Sequence, residues 1–289
     1  MPLVDIYELG NYSSLFRKPL GRVLGRGLFN IFALEKVNDL YDRYSHLSGA
    51  DFTDAVLEDI GVRYKVCFIS GAKQEWYTKG AELDRKLSSV LPQGAFITIS
   101  NHPCGHIDGL CLVDIFAGIR PDYKVMVNKI LGRIRSLDRN FIRVIPTGSK
   151  QSLPTADSVN GVRAAFRHLK KGGALGLFPS GAVSDLSLKD HCVRDREWQD
   201  AIVRFIARSD LPVLPVRFLD GNSPFYYSLG LIDWRIRILR LPAEVFNKSG
   251  RPFRICVGPL IMPEQYEIFS TDVHQLGEFL RSTVYNLST

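Results

Sequence analysis

From residue 62 onward the chain alternates between two kinds of apolar pattern. Short runs rich in branched and aromatic residues predict strands: RYKVCFI at 63–69, GAFITIS at 94–100, YKVMVN at 123–128, NFIRVIP at 140–146, ALGLFPS at 174–180, PVLPVRF at 212–218 and FRICVGPLI at 253–261. Longer stretches with apolar residues every three or four positions predict helices near 108–118, at 158–172 with Gly172 placed to end it, at 196–209 and at 272–287. Several of the strands are apolar throughout, the composition of strands buried on both faces. The pattern therefore predicts an α/β fold with a mixed, largely parallel central sheet flanked by helices, occupying residues 62–289. Residues 1–61 are expected to form an N-terminal helical segment before it. There Leu20, Val23, Leu24, Leu28, Ile31 and Phe32 recur at helical spacing, with Lys18, Arg22 and Arg26 roughly opposite. Such a helix either packs on its own domain or lies in a membrane interface and docks the protein there.

Composition narrows this picture. The chain of 289 residues is 45% hydrophobic, enough for a large core and too much for a disordered protein. Its formal charge of +7 suits an anionic partner without choosing one. Lysines and arginines at 129–143 and 163–171 are interleaved with core-type residues, and no nucleic-acid motif accompanies them, so no nucleic-acid partner is expected. The cysteines at 67, 104, 111, 192 and 256 are odd in number and widely spaced, which argues against a disulfide framework and for a reducing compartment. MPLVDIYELGNYSS has no basic region leading into an apolar core, so no signal peptide is expected. No apolar run is long enough for a membrane span.

Sites in such sheets form beyond the carboxyl ends of strands. Two polar turns fall there: SNHPCGHID after the 94–100 strand and PSGAVS after the 174–180 strand. His102 takes a proton from a hydroxyl near neutral pH, and does so better if a carboxylate holds its other ring nitrogen. Pro103 and Gly105 allow a turn tight enough to bring Asp108 back to it. The chain contains no GxSxG, so the attacking group is expected to be the substrate's own hydroxyl. Other readings stay open. His102, His106 and Asp108 are candidate metal ligands in a metal-assisted hydrolase. Cys104 is a candidate nucleophile, Cys111 reads as core, and PFYYSLGLIDW at 224–234 is either core or an apolar patch that meets acyl chains or a bilayer.

The NHPCGHID stretch resembles the His-Asp motif of the glycerolipid acyltransferase superfamily, and its HPxGxxDG form resembles the bacterial branch that includes acyltransferases of amino-acid lipids. Five residues separate His102 from Asp108, one more than in the usual NHxxxxD. Three further blocks follow in the family's order. KVMVNKILGRIRSLDRNFIRVIP at 124–146 resembles a segment with a lysine and then a strand, LFPSGAVS at 177–184 the FPxG block, and LPVLPVRF at 211–218 the late V-P-x-x-P-V block. The resemblance covers about 90–265. It departs at Ser180, where many relatives have Glu, and at Pro146-Thr147, where many have Asp-Arg; Asp185 is the candidate stand-in for the missing carboxylate.

The resemblance implies an acyltransferase that moves a fatty acyl group from acyl-carrier protein or acyl-coenzyme A to the hydroxyl of a lyso-lipid. The acceptor is of the 1-acylglycerol-3-phosphate type or, alternatively, a lyso amino-acid lipid such as N-acyl glycine or ornithine. A non-catalytic lipid-binding protein on the same fold is the alternative outside enzymes. The resemblance makes His102 the base and Asp108 its partner, with Phe178, Pro179, Ser180 and Gly181 shaping the acceptor pocket. Head-group charge would fall to Lys129 or Arg143, with Arg133 and Lys150 as further candidates. Backbone N–H groups near Gly181, at a strand-to-helix turn, are expected to bind anionic head-group or oxyanion charge. Neither a cofactor nor a metal is implied, because a thioester is already activated. A peripheral place on the cytoplasmic face of the inner membrane follows.

Overall fold

The computed structural model describes residues 33–145, 156–250, 252–269 and 271–288. The segment with Lys18, Arg22 and Arg26, and the positions Pro146, Thr147 and Lys150, lie outside them.

The chain enters through α1 (Leu34–Tyr44) and α2 (Gly49–Asp59), separated by a break at 45–48. It continues through β1 (Arg63–Ser70), β2 (Lys73–Thr78), α3 (Ala81–Val90), β3 (Phe96–Ser100), α4 (His106–Ala117), β4 (Lys124–Asn128) and β5 (Phe141–Val144). Then come α5 (Ala156–Lys170), β6 (Ala174–Leu177), a small hairpin β7 (Asp185–Ser187) and β8 (Cys192–Arg194), α6 (Asp200–Ser209) and β9 (Val213–Phe218). Two helices, α7 (Pro224–Ile232) and α8 (Trp234–Phe246), precede β10 (Pro252–Val257), α9 (Pro263–Glu267) and α10 (Val273–Tyr285).

Among the described residues, eight strands form one sheet in the order β2-β1-β10-β9-β3-β6-β4-β5. Its pairings are parallel except at β1–β2 and β9–β10, so the expected mixed, largely parallel sheet is present. Parallel neighbours need crossovers, and the helices that supply them cover both faces. Alternation along β3 divides the core. Phe96 faces a cluster with α2, α3 and α4, while Ile97 and Ile99 face a second cluster with α5, α6 and α10. Leu40, Phe52, Val56 and Leu57 join the first cluster, so α1 and α2 are built into the same core as the sheet.

Pro215 sits in central β9, where a missing N–H would ordinarily break a ladder. The antiparallel pairing of β9 with β10 begins only at Val216, and Gly258 donates its N–H to the Pro215 carbonyl, so the proline falls where that ladder has ended.

Helix α4 is fixed from below by a buried acid. Asp114 accepts the Tyr64 hydroxyl at 2.6 Å, the Lys79 ammonium at 2.7 Å and the Thr53 hydroxyl at 3.3 Å. These bonds tie α4 to β1, α2 and the segment after β2, and burial alone would make an unpaired carboxylate there costly. Among the described residues no helix is long and apolar enough to cross a membrane.

Candidate active site

Strand β3 ends at Ser100, and the next five residues are held at almost every polar group. Asn101 uses its side-chain amide as one more rung of sheet, donating to the Phe218 carbonyl at 2.9 Å and accepting the Phe218 N–H at 2.8 Å. The His102 N–H donates to Asp195 Oδ1 at 3.1 Å, and the His102 carbonyl accepts the Ser184 N–H at 2.9 Å. Tyr227 donates its hydroxyl to the Pro103 carbonyl at 2.8 Å. Gly105 has φ of 74°, and a Cβ there would meet Leu241 at 2.9 Å, so both backbone conformation and space require glycine.

The side chains complete the turn. His102 Nδ1 and Asp108 Oδ2 are 3.0 Å apart. The same oxygen accepts the N–H groups of Cys104 at 2.8 Å and Gly105 at 3.0 Å, placing Asp108 as an acid in the first turn of α4 that reaches back to the helix start. The extra residue in the motif is thus absorbed by the Gly105 turn. Asp108 is fully buried, while the His102 side chain remains 18% exposed. An Nδ1–H donated to the carboxylate assigns the basic lone pair to Nε2.

Phe178, the first residue beyond β6, stacks on the imidazole with ring centroids 4.0 Å apart. The turn it opens contributes shape. Ser180 is buried and its hydroxyl donates to the Ala182 carbonyl at 2.8 Å. Gly181 has φ of 65° and donates its N–H to the Phe178 carbonyl at 2.9 Å. The expected strand-to-helix anion site at Gly181 is therefore corrected: that N–H is spent within the turn, and the chain leads into the β7–β8 hairpin, with α6 starting only at Asp200. Asp185 is taken up by Arg196 and Arg237.

Lys129 is exposed at the carboxyl end of β4. Arg143 lies on edge strand β5, three strands from β3, where Asp138 holds its guanidinium. His106 opens α4; burial, with the charge of His102 nearby, pushes it down to about 4, so it is neutral near pH 7. Cys104 is buried, and burial raises its thiol well above its ordinary value, which disfavours the thiolate a nucleophile needs; Cys111 is core. Among the described residues no group of three or more His, Cys, Asp and Glu is arranged to hold a metal ion. An open, charged hollow of about 610 Å³ lies behind the turn, reaching from Asp185 to Arg281; it holds Asp195 but not His102.

Asp195 is the residue that sequence reasoning missed. Its carboxylate accepts the His102 N–H, the Ser184 hydroxyl at 2.5 Å and the Trp198 indole N–H at 3.3 Å. Its own backbone is held by the Tyr285 hydroxyl and the Arg281 guanidinium. It carries no motif signal: it lies in VRDREWQD between a hairpin and a helix, far from His102 in sequence.

A model of the family described as Acyltransferase matches residues 66–289. The chain belongs to this acyltransferase family. The likeness of NHPCGHID and its companion blocks to the glycerolipid acyltransferases is thereby borne out. Among curated relatives, a lyso-glycine lipid O-acyltransferase of Bacteroides thetaiotaomicron is 25% identical over 276 residues, covering 93% of this chain and 88% of that one. A lyso-glycine lipid O-acyltransferase of Phocaeicola vulgatus is 25% identical over 249 residues, covering 84% and 85%. Among solved structures, the 1-acyl-sn-glycerophosphate acyltransferase PlsC of Thermotoga maritima aligns with a TM-score of 0.43 at 15% identity, over 92% of this chain and 97% of that one. Acyl transfer to a hydroxyl calls for a base, and the turn after β3 holds a histidine and an aspartate in hydrogen-bond contact.

Proposed function

We propose that this acyltransferase moves a fatty acyl group from a thioester, acyl-carrier protein or acyl-coenzyme A, to the free hydroxyl of a lyso amino-acid lipid of the N-acyl glycine type. The observation that carries the chemistry is the 3.0 Å contact between His102 Nδ1 and buried Asp108, which leaves Nε2 as the base. The amino-acid acceptor is supported by the HPxGxxDG form and by the two lyso-glycine lipid O-acyltransferases similar along most of the chain. It replaces the 1-acylglycerol-3-phosphate acceptor as the first choice.

In the reaction, His102 Nε2 takes the acceptor's hydroxyl proton as the oxygen bonds to the thioester carbonyl carbon. The tetrahedral intermediate collapses with cleavage of the C–S bond, and the thiolate leaves with the proton from His102. Asp108 holds the tautomer and stabilises the imidazolium. Phe178 keeps the ring from swinging, and Pro179, Ser180 and Gly181 shape the adjoining wall. Lys129 is the cation we assign to the acceptor's carboxylate. The protein works as a peripheral enzyme on the cytoplasmic face of the inner membrane.

The test is transfer from labelled acyl-carrier protein and acyl-coenzyme A to a panel holding lyso-glycine lipid, lyso-ornithine lipid and 1-acylglycerol-3-phosphate. Product on lyso-glycine lipid at least ten times faster than on the phosphate acceptor is expected. Equal or faster transfer to 1-acylglycerol-3-phosphate would reject the amino-acid acceptor.

A further inference from the structure

The corner between α7 and α8 breaks the usual rule for a soluble surface. Five of the eight residues 231–238 are large, apolar and well exposed: Leu231 at 52%, Ile232 at 77%, Trp234 at 54%, Ile236 at 40% and Ile238 at 48%. Phe225 on α7 adds a sixth at 58%. Scattered apolar residues on a surface need no explanation, but a contiguous group does. Beside it, the β7–β8 hairpin packs through Leu186 and Val193 on Tyr226, Tyr227 and Leu241. Leu188 near its tip is 64% exposed and is followed by Lys189. The α7–α8 corner is thus an apolar tip, and the hairpin packed beside it carries one exposed leucine on an otherwise polar turn, Leu188-Lys189-Asp190-His191.

The inner face of the α7–α8 pair is bolted to the catalytic turn. Tyr227 donates to the Pro103 carbonyl, and Leu241 closes on Gly105. Arg237 joins Asp185 and the Ser184 carbonyl, the residues that follow the FPxG turn. Whatever the outer tips rest on is thus held at a fixed offset from His102.

We propose that the α7–α8 corner, with the tip of the β7–β8 hairpin beside it, is the surface by which this enzyme sits on an anionic lipid bilayer. The occupant follows from chemistry, and the proposal rests on the lyso-lipid acceptor proposed above. The acyl chain of such an acceptor stays in a membrane, so the base must be brought to the bilayer. The tips are aliphatic with one tryptophan, the composition that enters the acyl boundary with its ring at the head groups. Lys189 follows Leu188, Asp190 is paired with Arg194, and the chain as a whole carries +7, a balance that favours anionic over neutral lipid. This surface is built from residues other than the basic stripe of Lys18, Arg22 and Arg26.

The test is co-sedimentation of the full chain with phosphatidylcholine vesicles, with and without phosphatidylglycerol, comparing wild type with an Ile232→Asp, Ile238→Asp double variant. Wild type is expected to sediment with the anionic vesicles, and the double variant to partition about tenfold or more weakly. Its transfer to a short-chain acceptor dissolved as monomers should stay within about twofold of wild type, since neither residue touches the turn. An Ile232→Gln, Ile238→Gln variant guards against an effect of the new charges and should move the same way. Wild type that stays in solution with both vesicles, or variants that sediment like wild type, would overturn the proposal. So would variants that lose thermal stability or a dimer without losing vesicle binding, because the corner would then be covered by this chain or a second copy. Vesicle binding is read without any acceptor, so its failure and failure of the acceptor assignment are told apart.

Discussion

Two turns leave adjacent parallel strands of the same sheet, both opened by polar residues around a proline and a glycine, and they serve differently. The turn after β3 carries a histidine and an aspartate whose side chains pair with each other, the carboxylate also holding the local backbone. The turn after β6 carries no titratable side chain between Phe178 and Ser184; its hydroxyls and N–H groups are spent on itself, on Asp195 and on the His102 carbonyl. In the function proposed above, one turn supplies a proton acceptor and the other a wall that keeps it still. Position at the carboxyl edge of the sheet is shared by both turns, so it does not by itself distinguish them. What distinguishes them is whether a titratable group is left with one end buried and one end open.

This contrast orders the expected effects. His102→Ala removes the base and should lower transfer by about 10²–10⁴-fold with folding intact, read by initial rates and thermal melting. Asp108→Asn keeps the shape but loses the charge that holds the Nδ1 proton; a fall of roughly 10²–10³-fold in kcat is expected, with KM for the acceptor changed far less. Asp195→Ala cuts three bonds, including the one to the His102 N–H, without touching the imidazole. It should cost roughly 1–3 kcal/mol of stability and about tenfold in rate. If Asp195→Ala proved as damaging to rate as His102→Ala in a protein that still melts like wild type, the line between the two turns would dissolve. Ser180→Ala, in the wall, should change transfer less than about threefold and cost about 1 kcal/mol.

The two histidines of the first turn sharpen the contrast further. His106 is half-buried at the start of α4, and desolvation with the charge of His102 beside it holds it at about 4, below its unfolded value near 6.5. The unfolded chain binds a proton in that window and the folded one does not, so His106 costs stability as pH falls from 6.5 to 4 and nothing above it. His106→Gln should therefore flatten the loss of melting temperature in that range and leave the neutral-pH rate within about twofold.

Legibility followed burial. Strands with both faces covered, such as FITIS and ALGL, were plain in the sequence because they are short runs with no charged residue, dominated by large apolar side chains. Edge strand β2, KQEWYT, has no buried face and was invisible, as was α3, whose stripe is only Leu83 and Leu87 among charges. In α8 the run WRIRIL alternates like a strand and Pro242 lies inside the helix, so neither period nor propensity pointed to it. The 224–234 aromatics were expected as core or as an exposed patch. They divide between the two, with Tyr226 and Tyr227 inside and Phe225, Leu231, Ile232 and Trp234 outside. His102 and Asp108 were readable because a tight turn keeps both in one short stretch. Asp195 was not, because its partners come from across the chain and only folding assembles them.

The most direct test of the account is single-turnover transfer from pre-formed enzyme–acyl donor complex to lyso-glycine lipid, comparing wild type with His102→Ala and Asp108→Asn. The account predicts that the chemical step slows by about 10² or more in both variants while acceptor binding stays close to wild type. A His102→Ala enzyme that forms product at the wild-type rate would contradict it.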